Sequence, residues 1–141
     1  MSCIITHSVA QTEELAERIG RTISPCVIAM TGDLGAGKTA FTRGLARGLG
    51  FSGEVSSPTF AIVHEYLGGR LPLYHFDMYR VSGWEDLYST GFFDYMECAA
   101  VLSVEWSENI TSALPENCVK IDIRRGENDN DRIITVEGVE I

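Results

Sequence analysis

The stretch Gly32-Asp33-Leu34-Gly35-Ala36-Gly37-Lys38-Thr39 is the most informative part of the chain, because it matches the pattern G-x-x-x-x-G-K-[ST] in full. The apolar run Val27–Met30 precedes it, as a buried strand should, and Phe41, Leu45 and Leu49 follow at four-residue spacing. A strand, a loop and an amphipathic helix are the context that this pattern requires. The alternative is a plain glycine-rich turn before a helix, but pattern and context together favour a phosphate-binding loop.

The residue types of this loop suit a nucleotide phosphate and a divalent metal. Gly35 and Gly37 let successive backbone N–H groups point at a phosphate, beside the positive end of the following helix dipole. Lys38 can reach β- and γ-phosphate oxygens, and the Thr39 hydroxyl can ligate Mg²⁺. The chain has only one other lysine, Lys120, which argues against a chance placement here. The residues predicted to contact the nucleotide in and after the loop are Gly32, Gly35, Ala36, Gly37, Lys38, Thr39 and Ala40.

Composition predicts a single domain spanning residues 1–141, with 45% hydrophobic and 22% charged residues. The net charge of −9 argues against free-standing binding of nucleic acid, which needs a surface rich in lysine and arginine. A role beside RNA stays open if a partner supplies that basic surface. Three acidic residues lie close together in the segment Glu127–Asp131, which is typical of a solvated loop.

No stretch of the sequence has the length and apolarity of a membrane span, and the segment Met1–Gly20 carries three glutamates instead of a basic, apolar signal. We therefore expect a cytoplasmic protein without membrane contact. The cysteines are widely spaced and form no C-x-x-C pair, so we expect reduced thiols and no zinc site. They are Cys3, Cys26, Cys98 and Cys118.

The pattern along the chain predicts strands interleaved with helices in the first half and hairpins later. Ser8 with Gln11 resembles a capping box that opens the first helix, which should end near Gly20. Other predicted elements are strands at Ile4–Thr6, Cys26–Thr31 and Ala99–Val104, helices at Lys38–Leu49 and Trp84–Tyr88, a hairpin of Pro58–Leu67 with Leu71–Phe76, and an antiparallel edge pair of Val119–Ile123 with Ile133–Val136. The predicted fold class is α/β, a P-loop NTPase-like three-layer sandwich with a mixed, mainly parallel central sheet and antiparallel hairpins.

Two acidic residues follow apolar strands, where a phosphate loop needs carboxylates to hold Mg²⁺. Glu105 ends the run Ala99–Val104, and Asp77 ends the strand Leu73–Phe76. Their carboxylates should emerge at the carboxyl edge of the sheet, where ligands lie in open α/β sheets. A surface carboxylate at a strand end is the alternative for each, but their occurrence together with the loop favours the site.

Thr59 lies in the segment Ser57-Pro58-Thr59 after the loop helix, and two interpretations of it stay open. It either senses the γ-phosphate, as switch segments do, or belongs to a turn that starts a strand.

Trp106 and Tyr79 either stack on a base or fill the core, and the core is the safer default. Two further residues have structural alternatives. We interpret His75 as a packed structural histidine and not as a proton carrier. We expect Arg80 to pair with phosphate or with Asp77.

Four segments together resemble the TsaE (YjeE) family in order and spacing. They are Gly32–Thr39, Ser57–Phe60, His75–Arg80 and Val104–Glu108, and none departs from the family pattern. The first segment is shared with many NTPases, whereas the four together look specific. Members of this family are bacterial ATPases needed to make threonylcarbamoyladenosine beside the anticodon of tRNA.

The resemblance implies a role for each matching residue. Lys38 and Thr39 would contact phosphate and Mg²⁺, Glu105 would be the second metal ligand, Asp77 would be required for hydrolysis, and Thr59 would be the switch-like threonine. Outside the loop, the residues that match further nucleotide contacts of the family are Thr12 and Arg132.

The resemblance also implies partners. The expected partners are TsaB and TsaD, whose complex transfers the threonylcarbamoyl group and is thought to be reset by ATP hydrolysis. Transfer RNA would be met only indirectly, through that complex.

Two other functions use the same loop. A small-molecule kinase has less support, because the sequence shows no arginine-rich lid and has little chain for an acceptor-binding domain. A nucleotide-dependent switch with negligible turnover is the second alternative. The guanine-reading N-K-x-D motif is absent from the sequence, which favours ATP over GTP.

Overall fold

The computed structural model describes residues 1–32, 37–52, 63–78 and 81–140. Within these ranges the chain alternates between strands and helices in the first half, as expected, and ends in paired strands. The elements are β1 (Ser2–Thr6), α1 (Val9–Thr22), β2 (Cys26–Gly32), α2 (Lys38–Gly48), β3 (Val63–Tyr66), β4 (Leu73–Asp77), α3 (Trp84–Ser89), α4 (Phe92–Met96), β5 (Val101–Glu105), a 3₁₀ segment (Ser107–Ala113), β6 (Val119–Arg125) and β7 (Arg132–Glu137).

The strands of the described residues form one seven-stranded sheet in the order β1-β7-β6-β2-β5-β4-β3. Neighbours among β6, β2, β5 and β4 pair in parallel, whereas the outer pairings β1–β7, β7–β6 and β4–β3 are antiparallel. The predicted mixed sheet is thus confirmed. The described part of the predicted hairpin is also confirmed, as β3 and β4, while residues 58–62 lie outside the described ranges.

The prediction that β6 and β7 form an edge pair is wrong, although they do pair with each other. β1 adds to β7 in antiparallel register from Ser2↔Val136 to Thr6↔Arg132, and β6 pairs with β2 on its other side. β1 is therefore the edge strand on this side of the sheet. Its partner lies more than a hundred residues away, and local hydrophobic pattern carries no information about pairing at that separation.

Helices cover both faces of the sheet, which confirms the three-layer sandwich. On one face, α1 and α2 pack their apolar sides on alternate residues of the central strands, including Leu15, Ile19, Phe41, Leu45, Ile28, Met30 and Ile121. On the other face, α3, α4 and the 3₁₀ segment pack on the intervening residues, including Leu87, Phe92, Ile110, Ala29, Phe76, Leu102 and Val104. The sequence did not predict α4 or the 3₁₀ segment, since each is too short to show a helical period.

The close packing of α1 against α2 fixes the position of the loop helix. A Cβ atom at Gly44 or Gly48 would clash with the backbone of Glu13 or Glu17, so only glycine allows the two helices to approach this closely. Arg43 reinforces the contact, because its Nε donates to Oε1 of Glu13 at 3.0 Å. The amino end of α2 is thereby held at the carboxyl edge of the sheet.

The amino end of α1 is capped as the sequence predicts, with one difference. The Ser8 hydroxyl accepts from the backbone N–H of Gln11 at 3.1 Å, but the Gln11 side chain accepts from the N–H of His7 at 2.7 Å instead of from Ser8 itself. The helix then runs two residues past Gly20, to Thr22. Among the helices of the described ranges, none combines the length and apolarity needed to cross a membrane.

Candidate functional site

The carboxyl ends of three parallel strands meet beside the amino end of α2. Asp77 of β4 and Met30 of β2 both lie in register with Glu105 of β5, so the two predicted acids occupy neighbouring strands. A cavity of about 420 Å³ opens at this point. Its lining includes most of the predicted site, namely Val9, Gly37, Lys38, Thr39, Ala40, Arg43, Asp77, Glu105, Trp106 and Arg132.

Lys38 provides the buried cation of the cavity. Its side chain starts at the first residue of α2, after Gly37 with a φ of 107°, a conformation that glycine adopts readily. The residue is only 8% exposed. Its Nζ donates to the Gly32 carbonyl at 3.4 Å and lies 5.5 Å from the centre of the Trp106 ring. An ammonium group therefore borders the cavity next to a helix amino terminus, which is an arrangement suited to an anion.

Glu105 provides a largely buried carboxylate opposite this cation. Its side chain is 16% exposed, and its Oε2 lies 3.5 Å from Nε2 of His75. Burial raises the pKa of Glu105, but the contact with His75 and the charges of Lys38 and His64 outweigh it, leaving the pKa below its ordinary value. The carboxylate is therefore ionised at neutral pH and can serve as a metal ligand.

Asp77 and Thr39 differ from Glu105 in being exposed, and both line the same cavity. With Glu105 they present oxygen donors of the kind that Mg²⁺ binds. Among the described residues, no group of three or more His, Cys, Asp or Glu side chains is arranged to hold a metal by itself. Mg²⁺ commonly uses one or two protein ligands and takes the others from substrate phosphates and water.

Thr12 and Arg132, predicted from opposite ends of the chain, lie together in a small recess beside the main cavity. Val9, Gly37, Ala40 and Asn130 complete its lining. The hydroxyls of Thr12 and Thr6 form a hydrogen bond of 2.7 Å, and Thr12 is only 1% exposed. Arg132 donates through Nη1 to the carbonyls of Asp129 at 2.7 Å and Asp131 at 2.8 Å. The guanidinium is therefore held in place at the rim.

Two lining residues of the main cavity, Val9 and Arg43, were missed in the sequence, and a third, Trp106, had base stacking and the core as alternatives. Val9 opens α1, Arg43 lies one helical turn after Thr39, and Trp106 follows Glu105 directly. The helical spacing of Arg43 was a usable signal. Trp106, expected in the core, packs partly against it but also faces Lys38, and its φ of 58° is the only positive value at a non-glycine position in the described residues.

Several predicted residues lie outside the described ranges. They are the loop residues Gly35 and Ala36, the threonine Thr59, and Tyr79 and Arg80.

Glu108, the other acid of the segment Val104–Glu108, lies elsewhere. It is exposed and lines a second groove, of about 340 Å³, on the opposite face of the sheet. Other residues of this groove are Ala29, Lys120, Ile121, Asp122, Thr135 and Glu137.

Comparison with known proteins agrees with the geometry. The family model described as threonylcarbamoyl adenosine biosynthesis protein TsaE matches residues 6–134. The tRNA threonylcarbamoyladenosine biosynthesis protein TsaE of Bacillus subtilis is 46% identical over 114 residues, covering 80% of this chain and 70% of that protein. Its counterpart in Treponema pallidum is 39% identical over 125 residues, covering 88% and 91%.

A solved structure is similar as well. The crystal structure of Bacillus subtilis YdiB superposes with a TM-score of 0.77 at 36% identity, covering 96% of this chain and 83% of that one. The family match, the identities and the shared fold all cover most of the chain, and the chain therefore belongs to the TsaE family of tRNA threonylcarbamoyladenosine biosynthesis proteins.

Proposed function

We propose that this protein is a Mg²⁺-dependent ATPase that supports formation of the threonylcarbamoyl group on tRNA adenosine by nucleotide-driven cycling on a TsaB–TsaD complex. One observation carries the ATPase proposal. A buried lysine at a helix amino terminus and two carboxylates from adjacent parallel strands border one cavity. Membership of the TsaE family supplies the biological context.

Binding of ATP would rely on positive groups at the cavity. Lys38 would contact the β- and γ-phosphate oxygens, and the backbone N–H groups at the start of α2 would add the favourable end of the helix dipole. Thr12 and Arg132 border a small recess beside the cavity and would contact other parts of the nucleotide from there. The absence of an N-K-x-D motif from the sequence favours adenine over guanine.

Thr39 and Glu105 are the residues that would hold the metal. When bound, Mg²⁺ neutralises charge on the β- and γ-phosphates. The low pKa of Glu105 keeps this ligand ionised, and its burial limits competition from bulk water.

Hydrolysis would proceed by in-line attack of a water on the γ-phosphate. Asp77 borders the same cavity and would either polarise that water or hold the water shell of the metal. Lys38 would stabilise the charge that develops on the phosphoryl oxygens.

A partner would be needed for fast turnover. Both arginines in the described lining of the cavity have partners within the chain. Arg43 pairs with Glu13 at 3.0 Å, and Arg132 donates to the carbonyls of Asp129 and Asp131. A charge-stabilising arginine would therefore come from elsewhere, as in other partner-stimulated NTPases. The net charge of −9 suits a protein that leaves RNA binding to its partners.

The test is a pull-down with TsaB and TsaD in ADP, ATP or no nucleotide, followed by single-turnover hydrolysis on the bound fraction. We expect nucleotide-dependent association and faster phosphate release in the complex. Equal rates with and without TsaB–TsaD would contradict the partner requirement. Transfer of phosphate to a small molecule, instead of release as inorganic phosphate, would favour a kinase.

A further inference from the structure

A row of buried polar side chains runs beneath Glu105 on the α2 face of the sheet. His75 and Ser103 lie opposite each other in register on β4 and β5, two residues before Asp77 and Glu105. Because side chains alternate along a strand, all four belong to the same face. His75 is 9% exposed and Ser103 is fully buried, so their polar groups depend on protein partners.

Both ring nitrogens of His75 have such partners. Nε2 lies 3.5 Å from Oε2 of Glu105, and Nδ1 lies 3.3 Å from Oγ of Ser103. A carboxylate can only accept, so a hydrogen bond to Glu105 requires a proton on Nε2 of His75. The Ser103 hydroxyl, which contacts Nδ1 of His75, also donates a hydrogen bond to Sδ of Met30 at 3.0 Å.

We propose that His75 is a positioning residue that orients the Glu105 carboxylate for the metal. This inference rests on the proposed Mg²⁺-dependent function. The ring is fixed from behind by Ser103 and presents a donor to one carboxylate oxygen, which leaves the other oxygen for the cavity. A ligand whose orientation is set before the metal arrives loses less freedom on binding. His75 therefore raises metal affinity without touching the metal or the nucleotide.

A pair of amide substitutions separates positioning from packing. Glutamine places its amide N–H₂ near the location of Nε2, whereas the shorter asparagine reaches only as far as Nδ1. His75→Gln should keep a hydrogen-bond donor at Glu105. His75→Asn introduces the same polar group but should lose this hydrogen bond. His64→Asn is the control for loss of a nearby histidine charge, because this ring lies 6.2 Å from that of His75 on the neighbouring strand.

The measurements are the affinity of the ADP complex for Mn²⁺, followed by electron paramagnetic resonance, and the affinity for ADP in excess EDTA. His75→Asn should weaken Mn²⁺ binding by about 10- to 100-fold, the usual effect of losing a partner of a metal ligand. His75→Gln and His64→Asn should stay within about threefold of the unmodified protein, and ADP affinity in EDTA should not change in any variant.

Three results would overturn the inference. The first is equal Mn²⁺ affinity in His75→Asn and the unmodified protein. The second is an equal loss in His75→Asn and His75→Gln, which would indicate packing alone. The third is a parallel loss of metal-free ADP binding. If the unmodified protein bound neither ADP nor Mn²⁺, the proposed function itself would fail, and that outcome is distinct from the other three.

Discussion

The two cavities on opposite faces of the sheet have similar sizes, about 420 and 340 Å³, and each contains one of the two lysines of the chain. Their surroundings differ. Lys38 is buried at the first residue of α2, next to acids at the ends of two parallel strands. Lys120 is exposed on β6, and its groove has Ala29 and Ile121 in its lining.

The difference shows that volume does not identify a site. The cavity at Lys38 lies at the carboxyl edge of parallel strands, where a helix amino terminus and side chains of both charges converge on one space. The groove at Lys120 also has charged residues, but Lys120 and Glu137 are exposed to solvent. Because solvent and salt screen an exposed cation, Lys120 should attract an anionic ligand less strongly than the buried Lys38.

The largest effect should come from Asp77. Asp77→Ala removes the proposed water-orienting group and should lower single-turnover hydrolysis in the TsaB–TsaD complex by about 10²–10⁴-fold. Affinity for ATP should stay within about threefold. Glu137→Ala, which removes an acid from the other groove, should leave both unchanged. A fall in ATP affinity as large as the fall in hydrolysis would assign Asp77 to binding instead.

The lysines offer the next largest effect. Lys38→Ala removes charge-assisted contacts to two phosphates, each contributing about 1.5–3 kcal/mol, so ATP affinity should fall by about 1000-fold. Lys120→Ala should have no effect on the same calorimetric titration. If the two substitutions weakened ATP binding equally, the distinction between the cavities would be lost.

The glutamates separate the cavities through the metal. Glu105→Gln keeps the shape of the side chain but removes its charge. It should weaken the affinity of the ATP complex for Mg²⁺ by about 100-fold. Glu108→Gln alters the other groove and should behave as the unmodified protein. The reverse pattern, measured by titrating Mg²⁺ at fixed ATP, would mean that Glu108 is the ligand.

The smallest effect should come from the thiols. Cys26 and Cys98 border a pocket at the opposite, amino ends of β2 and β5, so alkylation there should leave ATP affinity unchanged. Burial, and to a smaller extent the nearby Cys118, raise the pKa of Cys26 from 9.0 to about 11. At neutral pH its thiolate fraction is therefore about 100-fold smaller than that of an unperturbed cysteine. Mass spectrometry after iodoacetamide at pH 7.5 should find the exposed Cys3 and Cys98 modified first. Loss of ATP binding on alkylation would contradict the placement of the site.

Much of the site was predictable because its residues mark the ends of regular elements. Gly37 and Lys38 start a helix, and Asp77 and Glu105 finish apolar strands, so a parallel sheet must bring them to one edge. Thr12 and Arg132, which the resemblance to the family suggested, do meet beside the cavity.

The remaining features depend on contacts between distant segments, which no local pattern encodes. The sequence indicates that His75 is buried, but not that its ring faces Glu105 on the next strand. The pairing of β1 with β7 escaped prediction for the same reason, and so did the position of Trp106 over Lys38. Residues that act through a neighbour, and not through a motif, become visible only in three dimensions.

The cavity at Lys38 is the nucleotide site that we propose. A crystal structure with Mg²⁺ and a non-hydrolysable ATP analogue tests it most directly. We predict the β- and γ-phosphates within hydrogen-bonding distance of Lys38 Nζ, with the metal between the phosphates and the side chains of Thr39 and Glu105. An analogue bound in the groove at Lys120, with the cavity at Lys38 empty, would contradict the claim.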